Sequence, residues 1–195
     1  MTSSPSPAAP VLNIANVLTV VRILLVPFFI WFLLLDDGRA GFFRWLAVAT
    51  FVVAIYTDKL DGDLARSRGL ITDFGKIADP IADKLLIGSA LVLLSVLGEL
   101  WWWVTIVILV REVGITLLRF AVIRYGVMPA SRGGKLKTVV QTAAILLFLI
   151  PLQALLADWA WWLAAAVMAI ALVITVVTGV DYIVQAVRLR AGARR

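Results

Sequence analysis

The sequence predicts an all-α, polytopic membrane protein with six transmembrane helices. Of its 195 residues, 63% are hydrophobic and only 15% are charged, whereas soluble globular domains are about 45–50% apolar and about 25% charged. The apolar residues are grouped in long stretches, and most Lys and Arg residues lie in alternate connections between them. These observations together indicate a chain that crosses a bilayer several times.

Six stretches approach the length of a transmembrane helix, which is about 20 apolar residues. They cover residues 18–35, 42–56, 81–97, 101–123, 139–156 and 159–187. The second and third stretches continue into polar segments that hold aspartates, so we expect these two helices to project beyond the bilayer. The fourth and sixth open with groups of tryptophans, which is typical of residues at a membrane interface.

The basic residues predict the orientation, because cytoplasmic loops carry an excess of Lys and Arg. Connections two to three and four to five and the C-terminal end are basic, while the turns near Gly98 and Asp158 have no basic residue. Only the first outer loop, with Arg39 and Arg44, departs from this pattern. Both termini and the aspartate-rich segment are therefore predicted to be cytoplasmic, with the active site facing the cytoplasm.

The composition also divides the chain and limits its chemistry. Residues 1–12 are rich in Ser, Pro and Ala and are expected to be a disordered tail, residues 13–187 form the membrane domain, and residues 188–195 form a basic tail suited to anionic lipid. The chain has no cysteine and no histidine, which excludes disulfides, thiolate ligands and imidazole ligands. Carboxylates remain, and they favour hard metal ions.

Six of the twelve acidic residues lie between Asp58 and Asp83. Asp58 and Asp61 are spaced i, i+3, and Asp79 and Asp83 are spaced i, i+4, so each pair shares one face of a helix. Two such helices facing each other could bring four carboxylates together, enough oxygen ligands for one or two divalent cations. Without neutralisation, that much negative charge at membrane depth would be very costly.

Small residues accompany the aspartates. Gly62 follows Asp61 and Ala65 lies one turn further on, so this helix face has little bulk and a nucleotide could approach the backbone closely. Arg66 offers a planar guanidinium for a phosphate. A two-metal carboxylate site beside an arginine suits a pyrophosphate. Two alternatives are that the aspartates only cap helices, or that they form an ion relay in a transporter or channel.

The full pattern resembles the signature of the CDP-alcohol phosphotransferase family. It reads Asp58-x-x-Asp61-Gly62-x-x-Ala65-Arg66, eight residues, Gly75-x-x-x-Asp79-x-x-x-Asp83. The resemblance implies a six-helix membrane enzyme that moves a substituted phosphate from a CDP-linked donor to a hydroxyl and releases CMP. It implies that Mg²⁺ or Mn²⁺, as two ions, is held by Asp58, Asp61, Asp79 and Asp83, and that Asp83 is also the base.

The same resemblance implies the contacts of the CDP-lipid donor. In addition to Asp58 and Asp61, these are Asn16, Thr19, Gly62, Ala65, Arg66, Thr72 and Gly75. Looser motifs, Asn16-x-Leu18-Thr19-x-x-Arg22, Arg111-Glu112 and Gly134-Lys135-x-Lys137-Thr138, resemble the branch of the family in which CDP-diacylglycerol donates to glycerol 3-phosphate. The implied setting is a bacterial inner membrane, with membrane lipid around a homodimer and no nucleic-acid partner.

A set of basic residues suits an anionic acceptor, independently of the family. It consists of Arg111, Arg119, Arg132, Lys135 and Lys137. The alternative for Arg132, Lys135 and Lys137 is that they only satisfy the rule for cytoplasmic loops. Arg111 lies inside a predicted span, where an arginine is costly, and this favours a functional role. Inositol phosphate, phosphatidylglycerol and serine are alternative acceptors.

Overall fold

The computed structural model describes residues 13–70, 72–123 and 132–192, and within these ranges the chain is all-α with no strand. The side chains of Arg66, Asp73, Lys76 and Arg132 lie outside the described part, as do the predicted tail at residues 1–12 and the last residues, 193–195. The helices are α1 (Ile14–Asp36), α2 (Phe42–Arg68), α3 (Asp73–Val96), α4 (Trp102–Val122), α5 (Arg132–Leu149), α6 (Leu152–Leu155) and α7 (Trp159–Gly192). The all-α prediction is confirmed.

The chain divides into two compact units, and the division falls after Ala90 within α3. The N-terminal unit contains α1, α2 and most of α3. The C-terminal unit contains the end of α3 and helices α4 to α7. Each unit has its own buried apolar residues.

Helices α1 and α2 form the body of the N-terminal unit. Phe29 and Phe51 are fully buried where these helices meet, with ring centroids 5.6 Å apart. The connecting turn is fixed by the buried Asp36 carboxylate, which accepts hydrogen bonds from the backbone N–H groups of Ala40 (3.2 Å) and Gly41 (2.8 Å). Arg44, also buried, lies 4.0 Å from the same carboxylate. This turn holds the two helices side by side.

Helix α2 continues well past its apolar part, as predicted, and ends at Arg68. Gly69 follows in the left-handed conformation (φ 65°), and its N–H bonds to the carbonyl of Ala65. Leu70 N–H bonds to the same carbonyl at 3.0 Å. A glycine in this position satisfies carbonyl groups at a helix end, so the chain turns sharply and α3 begins at Asp73.

In the C-terminal unit, α7 packs against both α4 and α5. Its buried face includes Ala160, Ala164 and Ala171, whose small side chains allow close helix packing. The predicted fifth span was wrong in its extent, because α5 begins at Arg132 and ends at Leu149. Pro151 lacks a backbone N–H, which stops the helix, and the short α6 follows.

Two described helices, Ile14–Asp36 and Trp159–Ala191, are long and apolar enough to cross a membrane. The other long helices carry charged residues within their length, such as Arg111 and Glu112 in α4. Large apolar side chains are exposed on many helices, including Trp31, Phe120 and Val173. Such extensive apolar exposure suits lipid rather than water.

Candidate active site

One buried polar stripe on α1 organises the N-terminal unit. Its members, Asn13, Asn16, Thr19 and Arg22, follow one another at intervals of three residues, so they lie along one side of the helix. Asn13 caps the helix by accepting a hydrogen bond from the Asn16 N–H at 3.0 Å. We call these four residues the α1 polar stripe.

The N-terminal half of the α1 polar stripe contacts the segment that connects α2 to α3. Asn13 Nδ2 donates to the carbonyl of Leu70 at 3.4 Å, and Asn16 Nδ2 donates to Thr72 Oγ1 at 2.8 Å. Thr72 Oγ1 also accepts from the backbone N–H of Gly75 at 3.1 Å. The start of α3 is therefore fixed to the start of α1.

Thr19 joins the two halves of the aspartate motif. Its hydroxyl lies 2.7 Å from Asp79 Oδ1 and 3.4 Å from Asp61 Oδ2. It also lies 3.1 Å from the carbonyl of Ala15. Asp61 is on α2 and Asp79 on α3, so one side chain of α1 brings aspartates from both helices to the same point.

Arg22 binds the first aspartate pair and is fully buried. Its Nη1 lies 2.6 Å from Asp58 Oδ1, and its Nη2 pairs with Asp61 Oδ2. Its Nε has no hydrogen-bond partner in the described part of the chain. Arg22 was not among the predicted site residues, although an arginine inside an apolar span was itself a signal of function.

The buried surroundings of Asp61 mean that a nearby positive charge stabilises its carboxylate strongly. Asp61 lies beyond the predicted second span, and burial raises the pKa of its carboxyl to about 6 although the Arg22 guanidinium lowers it. The negative charges of Asp79 and Asp58 raise this pKa further. Burial disfavours the ionised form, so the Asp61 carboxylate gains more from a bound cation than an exposed carboxylate would.

The four predicted metal ligands are arranged unequally. Asp61 is buried and Asp79 half-buried, whereas Asp58 and Asp83 are exposed. Among the described residues, no group of three or more acidic side chains is placed to hold a metal ion. Asp61 and Asp79 meet at Thr19, while Asp58 is joined to Asp61 through Arg22. The donor set nevertheless consists of carboxylate and hydroxyl oxygens, which fit Mg²⁺ or Mn²⁺.

A cavity of about 160 Å³ adjoins these aspartates within the N-terminal unit. It contains most of the residues predicted to contact the donor, and its wall is formed by Ala15, Asn16, Thr19, Asp61, Gly62, Ala65, Leu70, Thr72, Gly75 and Asp79. Gly62 and Ala65 contribute little side-chain bulk to this wall. The predicted contact Asp58 is not in the wall, and the Arg66 side chain lies outside the described part.

Gly75 has a steric role at the cavity. A Cβ atom at this position would lie 3.0 Å from Asn16 Oδ1 and 3.4 Å from Thr72 Oγ1. Both oxygens belong to the hydrogen-bonded contact that fixes the start of α3. A larger residue would press on both side chains, so the glycine favours the close approach of α3 to α1.

The predicted acceptor residues belong to the C-terminal unit, where Arg111 is held on several sides. Its Nε donates to the carbonyl of Thr175 at 3.1 Å and its Nη2 to Thr178 Oγ1 at 2.9 Å. Its Nη1 lies 3.3 Å from Glu112 Oε1. Gly179 makes room for it, because a Cβ there would lie 3.2 Å from Arg111 Cγ. Arg111 thereby ties α4 to α7.

Glu112 receives two of the predicted cations, since the buried Lys137 pairs with the same Oε1 as Arg111. Arg119 lies elsewhere on α4, where its Nη2 donates to Tyr182 Oη at 2.7 Å and its guanidinium carbon lies 4.7 Å from the Tyr182 ring centroid. Lys135 is exposed, and the Arg132 side chain lies outside the described part. Glu112 and Tyr182 were not predicted as site residues.

Comparison with known proteins identifies relatives of the whole chain. Residues 12–177 match the CDP-alcohol phosphatidyltransferase family. The chain is 52% identical to the "Probable phosphatidylglycerophosphate synthase" of Mycobacterium tuberculosis (strain ATCC 25618 / H37Rv), over 96% of this chain and 88% of that protein. It is 34% identical to the "CDP-diacylglycerol--glycerol-3-phosphate 3-phosphatidyltransferase" of Bacillus subtilis (strain 168), over 87% of this chain and 93% of the relative.

Proposed function

The chain belongs to the CDP-alcohol phosphatidyltransferase family, and we propose that it transfers a phosphatidyl group from CDP-diacylglycerol to sn-glycerol 3-phosphate. The products are phosphatidylglycerophosphate and CMP, and the reaction belongs to phospholipid biosynthesis. The protein is an enzyme, a phosphatidyltransferase of the membrane. The main support for this proposal is that the Thr19 hydroxyl contacts both Asp61 and Asp79. This contact lies at the wall of a cavity lined by residues of the family motif. The names of the relatives supply the acceptor.

The cavity is the proposed place of the donor's diphosphate. Gly62, Ala65 and Gly75 add little bulk to the cavity wall, and Asn16 and Thr72 are the polar residues of this wall proposed to contact the cytidine. Arg66 follows Ala65 on α2 and would bind a phosphate oxygen. The acyl chains would remain in lipid.

The proposed metal ligands are Asp58, Asp61, Asp79 and Asp83, with Mg²⁺ or Mn²⁺ as two ions. When bound, these ions would neutralise charge on the diphosphate and on the departing CMP. The buried Asp61 carboxylate, whose pKa burial raises to about 6, is the ligand that gains most from this positive charge.

Asp83 is the proposed base. It lies one helical turn after Asp79, and its side chain is exposed. Its carboxylate would take the proton from the acceptor hydroxyl, since a hydroxyl is a poor nucleophile at neutral pH. The hydroxyl oxygen forms a bond to the phosphorus that bears diacylglycerol. The bond from this phosphorus to the bridging oxygen breaks, and CMP leaves with that oxygen.

The phosphate of the acceptor is proposed to meet the basic residues of α4 and α5. Lys135 and Arg119 are exposed, so they are the members of the set proposed to bind it. Arg111 and Lys137 share Glu112, and their proposed contribution is to keep positive charge among the basic residues of α4 and α5. Arg132 at the start of α5 completes the set.

The proposed setting is a bacterial inner membrane crossed by all six predicted spans, with the termini and active site in the cytoplasm and the protein as a homodimer. Two apolar helices support insertion in lipid, and the basic connections support the orientation. The orientation can be tested with the single-cysteine variants Arg39→Cys and Arg190→Cys in sealed vesicles. A thiol reagent should label these two positions from opposite sides of the membrane.

An acceptor panel tests the activity. Purified protein in detergent is given CDP-diacylglycerol, Mg²⁺ and one of glycerol 3-phosphate, inositol phosphate, phosphatidylglycerol or serine, and both CMP and the lipid product are measured. We expect phosphatidylglycerophosphate with glycerol 3-phosphate. Preferred use of another acceptor would contradict the assignment within the family, and CMP release with no lipid acceptor product would contradict the transfer.

A further inference from the structure

The Arg22 side chain is a buried cation that joins two of the proposed metal ligands. It has no exposed surface, it comes from α1, and it binds one oxygen of Asp58 and one oxygen of Asp61 on α2. We propose that Arg22 is a positioning residue, which holds Asp58 and Asp61 in the arrangement that binds the divalent cation. This proposal rests on the proposed metal site but not on the identity of the acceptor.

The shape of the guanidinium explains how one side chain can position two carboxylates. Arginine presents its N–H groups in a rigid, planar fork, and here the two terminal nitrogens face different aspartates. Arg22 therefore fixes the separation of the two carboxylates as well as their orientation. A lysine would bring a single nitrogen and could not hold both carboxylates in this way.

Charge explains why positioning is needed. Asp58, Asp61 and Asp79 are all negative when they are ready to bind a cation, and like charges in a poorly solvated site repel one another. The exposed Asp58 side chain can turn into water if nothing retains it. Arg22 contacts Asp58 Oδ1 and Asp61 Oδ2, so its positive charge offsets part of this repulsion and restrains both side chains.

The position of Arg22 on α1 supports the same role. Thr19 lies one turn before it and contacts Asp61 and Asp79. Thus two successive residues of the α1 polar stripe contact three aspartates of the motif. The stripe connects the aspartates to one rigid helix, and residues that hold metal ligands in this way often change metal affinity by about 10–100-fold when removed.

A purely structural role is the main alternative, because a buried arginine also stabilises the fold. The chain contains a matched control for this. Arg44 is buried, and it lies near a buried carboxylate, that of Asp36, in the α1–α2 turn of the same unit. Arg44→Gln removes a buried arginine beside an aspartate without touching any proposed metal ligand.

The test measures Mn²⁺ binding directly by the electron paramagnetic resonance signal of free Mn²⁺, with full-length protein in detergent. We expect Arg22→Gln to raise the Kd for Mn²⁺ by about tenfold or more and Arg22→Lys to give an intermediate increase. Arg44→Gln should lower the melting temperature and leave the Kd for Mn²⁺ within about twofold of the wild-type value. The increase in melting temperature caused by saturating Mn²⁺ should shrink in Arg22→Gln alone.

Several results would overturn the proposal. These are an unchanged or lower Kd in folded Arg22→Gln, an equal rise in Kd in Arg44→Gln, or no Mn²⁺ binding by the wild-type protein. If Arg22→Gln does not fold, Arg22→Lys decides, and a wild-type Kd in that variant refutes the positioning role. If the wild-type protein binds Mn²⁺ but forms no phosphatidylglycerophosphate, the proposed function is wrong, and this result is distinct from a failure of the positioning role.

Discussion

Replacing Thr19 by valine tests the contact on which the active-site assignment depends. Valine keeps the branched shape of threonine but removes the hydroxyl that lies 2.7 Å from Asp79 Oδ1 and 3.4 Å from Asp61 Oδ2. The shorter contact is a hydrogen bond to a charged group, which is worth about 1.5–3 kcal/mol. The longer one adds little, because it is at the limit of hydrogen-bond distance.

Since about 1.4 kcal/mol corresponds to a tenfold change in rate, this loss predicts that kcat/KM falls by roughly 10- to 150-fold. The assay is CMP release at varied CDP-diacylglycerol, with glycerol 3-phosphate and Mg²⁺ saturating. Thr19→Ser restores the hydroxyl and should recover most of the activity. Both variants should keep the wild-type helix content by circular dichroism.

Thr50→Val is the matched control for the loss of a threonine hydroxyl. The Thr50 hydroxyl donates to the carbonyl of Leu46 within α2, at 2.7 Å, and we expect nearly wild-type activity from this variant. If Thr19→Val were as active as Thr50→Val, the joining of the two aspartates by Thr19 would have no catalytic importance, and the reasoning would be refuted.

Three further predictions concern the metal, the base and the acceptor. Asn at Asp58, Asp61 or Asp79 should abolish CMP release and weaken Mn²⁺ binding, while the protein stays folded in detergent. Excess chelator should stop the wild-type enzyme, and full turnover in chelator would contradict the metal role. Asp83→Asn should reduce turnover much more than donor binding measured by equilibrium dialysis, whereas an equal loss of both would make Asp83 chiefly a ligand. Lys135→Ala should raise the KM for glycerol 3-phosphate about tenfold or more with little change for the donor, since charge-assisted contacts are worth about 1.5–3 kcal/mol. Arg111→Ala should raise the same KM and also lower the melting temperature, because Arg111 ties α4 to α7; an unchanged KM in both variants would place the phosphate pocket elsewhere.

The amino-acid sequence alone was enough to predict the fold class and the family. Apolar stretches with few charges predict helices, and the spacing of Asp58 with Asp61 and of Asp79 with Asp83 places each pair on one helical face. The structure has both pairs on helices, α2 and α3, that extend past their apolar parts. The motif that suggested the family is complete in the chain, and the family is confirmed by the match over residues 12–177.

The sequence was less informative about the extent of the helices. The start of α5 at Arg132 was missed, because its first turns are polar and hydropathy does not separate a polar helix from a loop. Its end at Leu149 could have been predicted from Pro151, which cannot continue the hydrogen bonding of the helix. The six predicted spans remain a proposal. The other long helices contain charged residues, and two of the described helices are long and apolar enough to cross a membrane by composition.

Which side chains from different helices meet became clear only from the folded arrangement of the helices. The pairing of Arg22 with Asp58 and Asp61, the contact of Thr19 with Asp79, and the pairing of Lys137 with Glu112 all join residues distant in sequence. Helical periodicity specifies the neighbours of a residue along its own helix, every three to four positions. It does not specify which face of the next helix lies opposite, because that depends on the turns, the packing of buried side chains and the pairing of buried charges, all of which form only when the chain folds.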